Sequence, residues 1–349
     1  MPAASQVTRK QMRARLVRYG ELVPCRTAFI DTRTPGSESK ENFTIIGPGV
    51  AENPDQHVHI REPHGFNIGA ARQPPGCVNS QHSHETAEVF WIHSGRWRFM
   101  TGEHGEDGEV VLERGDTISI PIHVFRGFEN IGSGEGFMFA ALGGDDPGRV
   151  TWAPYVFDDA RKYGLVLLES GRLIDTDAGE AVPDDEPVMP ATTAEQVAKL
   201  TRLDSAALES CVARHSDAKS AAGSVMSASA EHSHIREFPV IGERNDSEGV
   251  PKAPLSWRHG FQLRQLAFEP GASTPVHSRV EEEVWTIHEG RLRVHWGEHA
   301  LDLGPGDVLT VPIGLSRRFE NPGSEPAVAF VVRGGNAPFP PQWSPSNMG

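Results

Sequence analysis

Residues 76–95 read GCVNSQHSHETAEVFWIHSG, and His82, His84 and Glu88 bring two imidazoles and a carboxylate together in a segment otherwise built for a strand. Side chains on a strand alternate between its faces, so residues of equal parity share one face. If the strand is regular, all three point the same way. Two imidazoles and one carboxylate make a ligand set for a borderline divalent metal and leave adjacent coordination positions open. The competing reading is a polar, solvent-facing strand that carries no chemistry.

Positioning such a set takes a framework of strands, and the chain repeats that framework. Gly76, His82, Glu88 and Gly95 are answered by Gly271, His277, Glu283 and Gly290, each 195 positions on without a gap. PHGFNI (63–68) is likewise answered by RHGFQL (258–263). Farther on, ERGDTISIPIHVFRGFEN (113–130) matches GPGDVLTVPIGLSRRFEN (304–321) at an offset of 191, the intervening hairpin being four residues shorter in the second copy. Aromatic and β-branched runs broken by glycine turns predict many short strands, and closing them into a barrel or jelly roll would remove exposed edges. The expected fold is therefore all-β, two tandem barrels with a partly helical connector. The expected boundaries are an amino-terminal arm (1–44), a first barrel (45–141), a connector (142–239), a second barrel (240–335) and an extended proline-rich tail (336–349). The connector should hold a helix around Asp158 to Tyr163, an acidic loop over 175–190, and a helix capped by Thr193 with Val197, Leu200 and Leu203 on one side.

Composition removes several classes of function. The net charge is −14 with no basic block, which argues against nucleic acid as a partner. Three widely spaced cysteines, Cys25, Cys77 and Cys211, form neither a disulfide framework nor a metal knuckle, and no window is long and apolar enough for a bilayer. A soluble, cytoplasmic protein without membrane contacts is expected. Of the other histidines, His57, His59 and His64 either line a pocket from a neighbouring strand or are ordinary edge or interface residues, His93 and His288 precede matched turn glycines, and His232 and His234 are expected on the surface.

The motifs resemble those of the cupins, specifically the two-domain bicupins. The first family motif, glycine, five residues, His-x-His, a nearby glutamate and a later glycine, is reproduced by Gly76, His82, His84, Glu88 and Gly95. In the second motif Gly115, Pro121 and Asn130 match, but His123 stands where glycine is usual and Arg126 where the last metal histidine belongs. In the second copy Gly306, Pro312, Gly314 and Asn321 match, while Arg279 and Arg317 replace two histidine ligands. A guanidinium cannot ligate and repels a neighbouring dication unless a carboxylate or an anionic substrate engages it. Arg126 therefore either neutralises a substrate oxyanion or pairs with Glu88, and His123 is the candidate to fill the missing position. The second site is expected to be an ion-pair network around Glu283 and Glu281, with an anion pocket as its alternative.

The resemblance, distantly to gentisate-type and flavonol-type bicupins, implies a dioxygenase. It would use Fe(II) on His82, His84 and Glu88, with a small aromatic or enediol substrate and dioxygen on the open positions. Mn, Ni or Zn in the same ligands would instead support a lyase, decarboxylase or isomerase, and a non-catalytic binder of small anions is the remaining alternative. The family resemblance also implies a homo-oligomer, a dimer or tetramer.

Overall fold

The computed structural model describes residues 7–227 and 234–344, so His232 lies outside the described residues. The chain divides into two compact units, Val23–His215 and Met1–Leu22 with Ser216–Gly349.

In the first unit a seven-stranded sheet runs in the order Val212–Ala213, Thr117–Ile120, Glu88–Ser94, Gly136–Gly143, Phe66–Gln73, Glu41–Ile46, Val58–Ile60. A five-stranded sheet runs Val150–Trp152, Val78–His84, Arg126–Asn130, Trp97–Thr101, Gly108–Leu112. Side chains from both sheets meet in one apolar core that includes Phe90, Phe99, Ile118, Phe128 and Met138. Each such fully buried side chain contributes about 1.5–3 kcal/mol relative to exposure. Every pairing is antiparallel except Glu41–Ile46 with Val58–Ile60.

The expected all-β fold of closed barrels is corrected here. Neither sheet closes: the outer strands of each have a ladder partner on one side only. The short, glycine-punctuated strands that suggested closure are accommodated by packing two open sheets face to face in a jelly-roll sandwich. The exposed edges are blunted by very short strands, such as the two-residue Val212–Ala213 and the three-residue Val58–Ile60 and Val150–Trp152. The chain is mostly β with several helices, among them Pro154–Lys162. Thr193 caps a helix through a complete capping box with Gln196, but that helix is only Ala194–Val197, and a fresh cap at Asp204 starts Ser205–Glu209. Leu203 thus falls between two helices.

The second unit has a six-stranded sheet, Leu16–Val17, Val308–Val311, Glu283–Glu289, Ala327–Gly334, Phe261–Phe268, Ile235–Ile241. It also has a three-stranded sheet, His299–Leu303, Leu292–Trp296, Arg318–Glu320, and the pair His277–Ser278 with Gln342–Trp343. The repeat reaches beyond the sequence motifs. The helix Arg9–Arg13 and the strand Leu16–Val17 complete the second unit, and the helix Ser205–Glu209 and the strand Val212–Ala213 complete the first in the same way. Each added strand lies beside a turn aspartate: Asp307 accepts the Tyr19 amide at 3.0 Å and Asp116 the His215 amide at 2.9 Å. Among the described residues no helix is long and apolar enough to cross a membrane.

The first unit also buries an ion pair, Lys40 with Asp31, both side chains without solvent exposure. Lys40 Nζ donates to Asn79 Oδ1 at 2.9 Å, and Asp31 accepts the Ser80 amide at 3.0 Å. Removing one partner of such a pair leaves an uncompensated buried charge. Lys40→Met is therefore expected to cost about 3–5 kcal/mol, measured by urea unfolding, and Asp31→Asn combined with Lys40→Met should recover much of that loss. Equal destabilisation by the single and double variants would contradict this assignment.

Candidate metal centre

Glycines set the turn that leads into the site. Gly76, at φ +75°, closes the Pro74–Pro75–Gly76 turn in a left-handed conformation that an L side chain rarely adopts, and the chain then enters the strand Val78–His84. His82 and His84 share one face of that strand. At Glu85–Ala87 the chain crosses to the other sheet, and Glu88 is the first residue of the strand Glu88–Ser94. The triad is thus assembled across the interior of the sandwich and not along one regular strand.

The three residues are buried, at 4%, 3% and 6% exposure, and one ligating atom from each lies within 4.8 Å of the others. Nε2 of His84 is 3.5 Å and Nε2 of His82 3.8 Å from Oε2 of Glu88. His82 Nδ1 lies 2.8 Å from the Ser80 carbonyl, which can only accept, so Nδ1–H donates and Nε2 is directed towards Glu88. Burial pushes the His84 imidazole down to about 4, with Arg126 acting the same way and Glu88 opposing, so His84 is neutral at pH 7 and keeps a lone pair to give. Burial would raise the Glu88 carboxyl, but His84 and Arg126 overcome it and hold the acid well below the usual carboxylate range. Two neutral imidazoles and an ionised carboxylate are the forms a divalent cation needs. The donor set therefore fits a divalent metal, and the buried triad constitutes a divalent-metal binding site.

Arg126, fully buried, lies directly against this site. Its strand pairs with Val78–His84 in the register Arg126↔His82, and its Nε and Nη2 donate to Glu88 Oε2 at 3.2 and 3.1 Å while Nη1 donates to the Val124 carbonyl at 3.1 Å. Of the two roles open to Arg126, the structure shows the pairing with Glu88. Both of its contacts with Glu88 fall on one carboxylate oxygen. His123 is not brought to the triad. It is exposed on the turn before Arg126, at φ +57°, where the second copy has Gly314 at φ +76°, and it contributes backbone contacts to His84 and Thr201.

Sequence reasoning missed two supports of the site. Trp152 pairs with His82 across the ladder, packs its ring 5.3 Å from that imidazole, and donates Nε1–H to the buried Glu52 carboxyl at 2.6 Å. Asn79, oriented by Lys40, lies 3.3 Å from His82 Nδ1. The signal for Trp152 was present: Trp343 stands 191 positions on and packs 5.4 Å from His277. Asp31, Lys40 and Glu52 had no such signal, because they lie outside both motifs.

The equivalent place in the second unit is filled by charge. Glu283 pairs with Arg317, with Arg279 Nε at 3.3 Å and with Arg333 Nε at 3.5 Å, and all four side chains are essentially buried. Arg279 also reaches Glu248 and Glu281, each at 2.9 Å, and Arg333 reaches Glu237 at 3.0 Å. Despite burial, these guanidiniums hold the Glu283 carboxyl far below its ordinary value. Burial and Arg317 push the His277 imidazole down to about 3. One imidazole and one carboxylate among three cations do not make a metal cage.

Comparison with known proteins agrees with this geometry. A cupin-domain family model matches residues 70–141 and 265–333, one stretch in each unit. The chain belongs to the cupin superfamily. It is a bicupin. The polyketide synthase CurC of Streptomyces cyaneus is 32% identical over 169 residues, covering 46% of this chain and 94% of the relative. The xanthan biosynthesis protein XanB of Xanthomonas campestris pv. campestris is 30% identical over 79 residues, 22% of this chain, and this bicupin spans only 16% of that protein's length. Among solved structures, a deletion mutant of Bacillus subtilis oxalate decarboxylase superposes with a TM-score of 0.53 at 14% identity, covering 93% of this chain and 77% of the other. The formate complex of Lactobacillus farciminis oxalate decarboxylase gives 0.53 at 12% identity, covering 94% and 88%. At such identities the structural likeness concerns the fold.

Two predictions follow from the site. Elemental analysis should find about one divalent ion per chain, retained by His277→Ala and lost by His82→Ala; two ions per chain would contradict the reading of the second unit. In the metal-free protein, His84, His93 and His259 are held near 4 and His277 near 3, all below the ordinary 6.5. As pH falls from 6.5 towards 4 the unfolded chain takes up these protons first, so unfolding free energy should decrease, by up to about 1.4 kcal/mol per pH unit per histidine. Glu52, pushed up to about 8 by burial, acts in the opposite direction but is one group against four. Chemical denaturation across that window measures the slope, and a flat or rising stability on acidification would contradict it.

Proposed function

We propose that this bicupin is a metal-dependent enzyme acting on a small organic acid by a non-oxidative route, a decarboxylation or a related lyase reaction. The observation that carries the reading is the site's surroundings. The triad lines a cavity whose accessible lining is mainly apolar and includes Phe43, Phe90, Phe128, Leu142, Val150 and Trp152. A divalent ion on His82, His84 and Glu88 would supply Lewis acidity to a ligated carboxylate or keto oxygen. Donors limited to imidazole and carboxylate suit Mn, Fe, Ni or Zn.

The residues of the chain do the rest. His82, fixed through the Ser80 carbonyl and faced by Trp152, presents Nε2 in one orientation. Glu88 stays ionised because His84 and Arg126 hold it so, and it therefore serves as a ligand and not as a proton donor. The aromatic and aliphatic wall excludes water from the bound acid. A carboxylate is costly in such surroundings and neutral carbon dioxide is not, so desolvation favours its loss. The similarity to proteins named oxalate decarboxylases supports the same reaction class, and the similarity to one named a polyketide synthase supports an acid with a larger carbon skeleton than oxalate.

The donor set itself favours a second reading. Two histidines and one carboxylate are also the ligands of Fe(II) oxygenases. Incubating metal-loaded protein with aromatic and keto acids with and without oxygen separates the two. The proposal expects carbon dioxide release that persists anaerobically and disappears in His82→Ala; product formation that requires stoichiometric oxygen uptake would overturn it in favour of a dioxygenase.

A further inference from the structure

The two units place the same ladder positions around their interiors, and the side chains at those positions differ in kind. In the first unit Leu142 lies opposite Glu88 and Asn67, Gly69 lies opposite Ala140 and Thr44, and Asn42 lies opposite Ala71. In the second unit the corresponding registers pair Arg333 with Glu283 and Gln262, Arg264 with Val331 and Pro239, and Glu237 with Leu266. Asn42, Gly69 and Leu142 all line the cavity above the triad. Glu237, Arg264 and Arg333 are buried at 1% exposure or less and are joined by ion pairs, Arg333 with Glu237 at 3.0 Å and Arg264 with Glu237 at 3.5 Å. The space that is a cavity in the first unit is thus occupied in the second by the protein's own charged side chains.

We infer that Gly69 and Leu142 are the specificity-determining residues of the first site: they keep open, and keep apolar, the volume in which the non-reacting part of the substrate sits. Each is the small or uncharged counterpart of an arginine. A glycine at 69 leaves its position on the cavity lining without a side chain, where the second unit carries the buried Arg264. Leu142 presents an aliphatic surface on the strand next to Glu88, where a guanidinium would compete for that carboxylate as Arg333 does for Glu283. With Phe43, Phe90, Phe128 and Trp152 on the remaining walls, the volume suits a flat apolar group. The substrate class is therefore an aromatic acid whose carboxylate faces the triad and whose ring lies against Leu142, and not a compact dicarboxylate such as oxalate. The inference rests on reading the triad as the metal site.

The test uses full-length, metal-loaded protein and calorimetric titration with benzoate, 2,4-dihydroxybenzoate and oxalate, metal content being measured for each variant. Wild type is expected to bind an aromatic acid more tightly than oxalate. Leu142→Phe, which fills the volume, should weaken aromatic-acid binding at least about tenfold with metal content and oxalate affinity unchanged. Leu142→Ala, which leaves more room, should shift preference towards larger ring systems and serves where the bulkier variant folds poorly. Unaltered aromatic-acid affinity in both variants, or a wild type that prefers oxalate or binds neither aromatic acid, would overturn the inference. Failure of the metal reading has a different signature, retention of metal by His82→Ala.

Discussion

The first site depends on how the charge of Glu88 is shared. One carboxylate oxygen takes two hydrogen bonds from the buried Arg126, while both imidazoles face the same group from 3.5 and 3.8 Å. His84 and a single guanidinium, that of Arg126, keep the acid ionised in a buried setting without saturating it. The two histidines then complete a set that a cation can enter. In the second unit the corresponding Glu283 meets three guanidiniums, and the same ladder position becomes the centre of a closed ion network. The number of cations around one position shared by the two units separates a metal site from a salt-bridged interior.

That balance is held by the architecture. The histidines come from the five-stranded sheet and the glutamate from the seven-stranded sheet, so the spacing of the two open sheets sets the distances between ligand atoms. Behind His82, the Ser80 carbonyl fixes the ring, the Ser80 amide is held by Asp31, and Asp31 is neutralised by Lys40. His277 makes the same contact to the Pro275 carbonyl, but proline has no amide hydrogen to satisfy, and Ile235 stands where the register places Lys40. The polar support is thus present where the ligand set is intact and absent where it is not.

Much of this was legible in the sequence. His82, His84 and Glu88 announced themselves through residue type and spacing, and the repeat located the second, altered copy through His277 and Glu283. Closure was misread, because short strands broken by glycine turns suit two packed open sheets as well as a closed one, and do not report whether the sheet's edges meet. Parity also suggested that the triad shares one strand; the corner at Glu85–Ala87 moves Glu88 to the opposite sheet while keeping it in reach. Arg264, Arg333, Glu237 and Glu248 gave no warning, since an isolated charge in a strand reads as solvent-facing until its partners, distant in sequence, are placed beside it. The cavity was illegible for the same reason: Gly69 and Leu142 acquire meaning only by comparison with Arg264 and Arg333 at matching ladder positions.

The most direct test of the central claim is anomalous diffraction from crystals equilibrated with Mn(II) or Zn(II). An anomalous peak should lie within coordination distance of Nε2 of His82, Nε2 of His84 and the Glu88 carboxylate, with Arg126 still engaged by Glu88 and no peak beside His277. Absence of a peak at the triad, with water or only the Arg126–Glu88 pair in its place, would contradict the account.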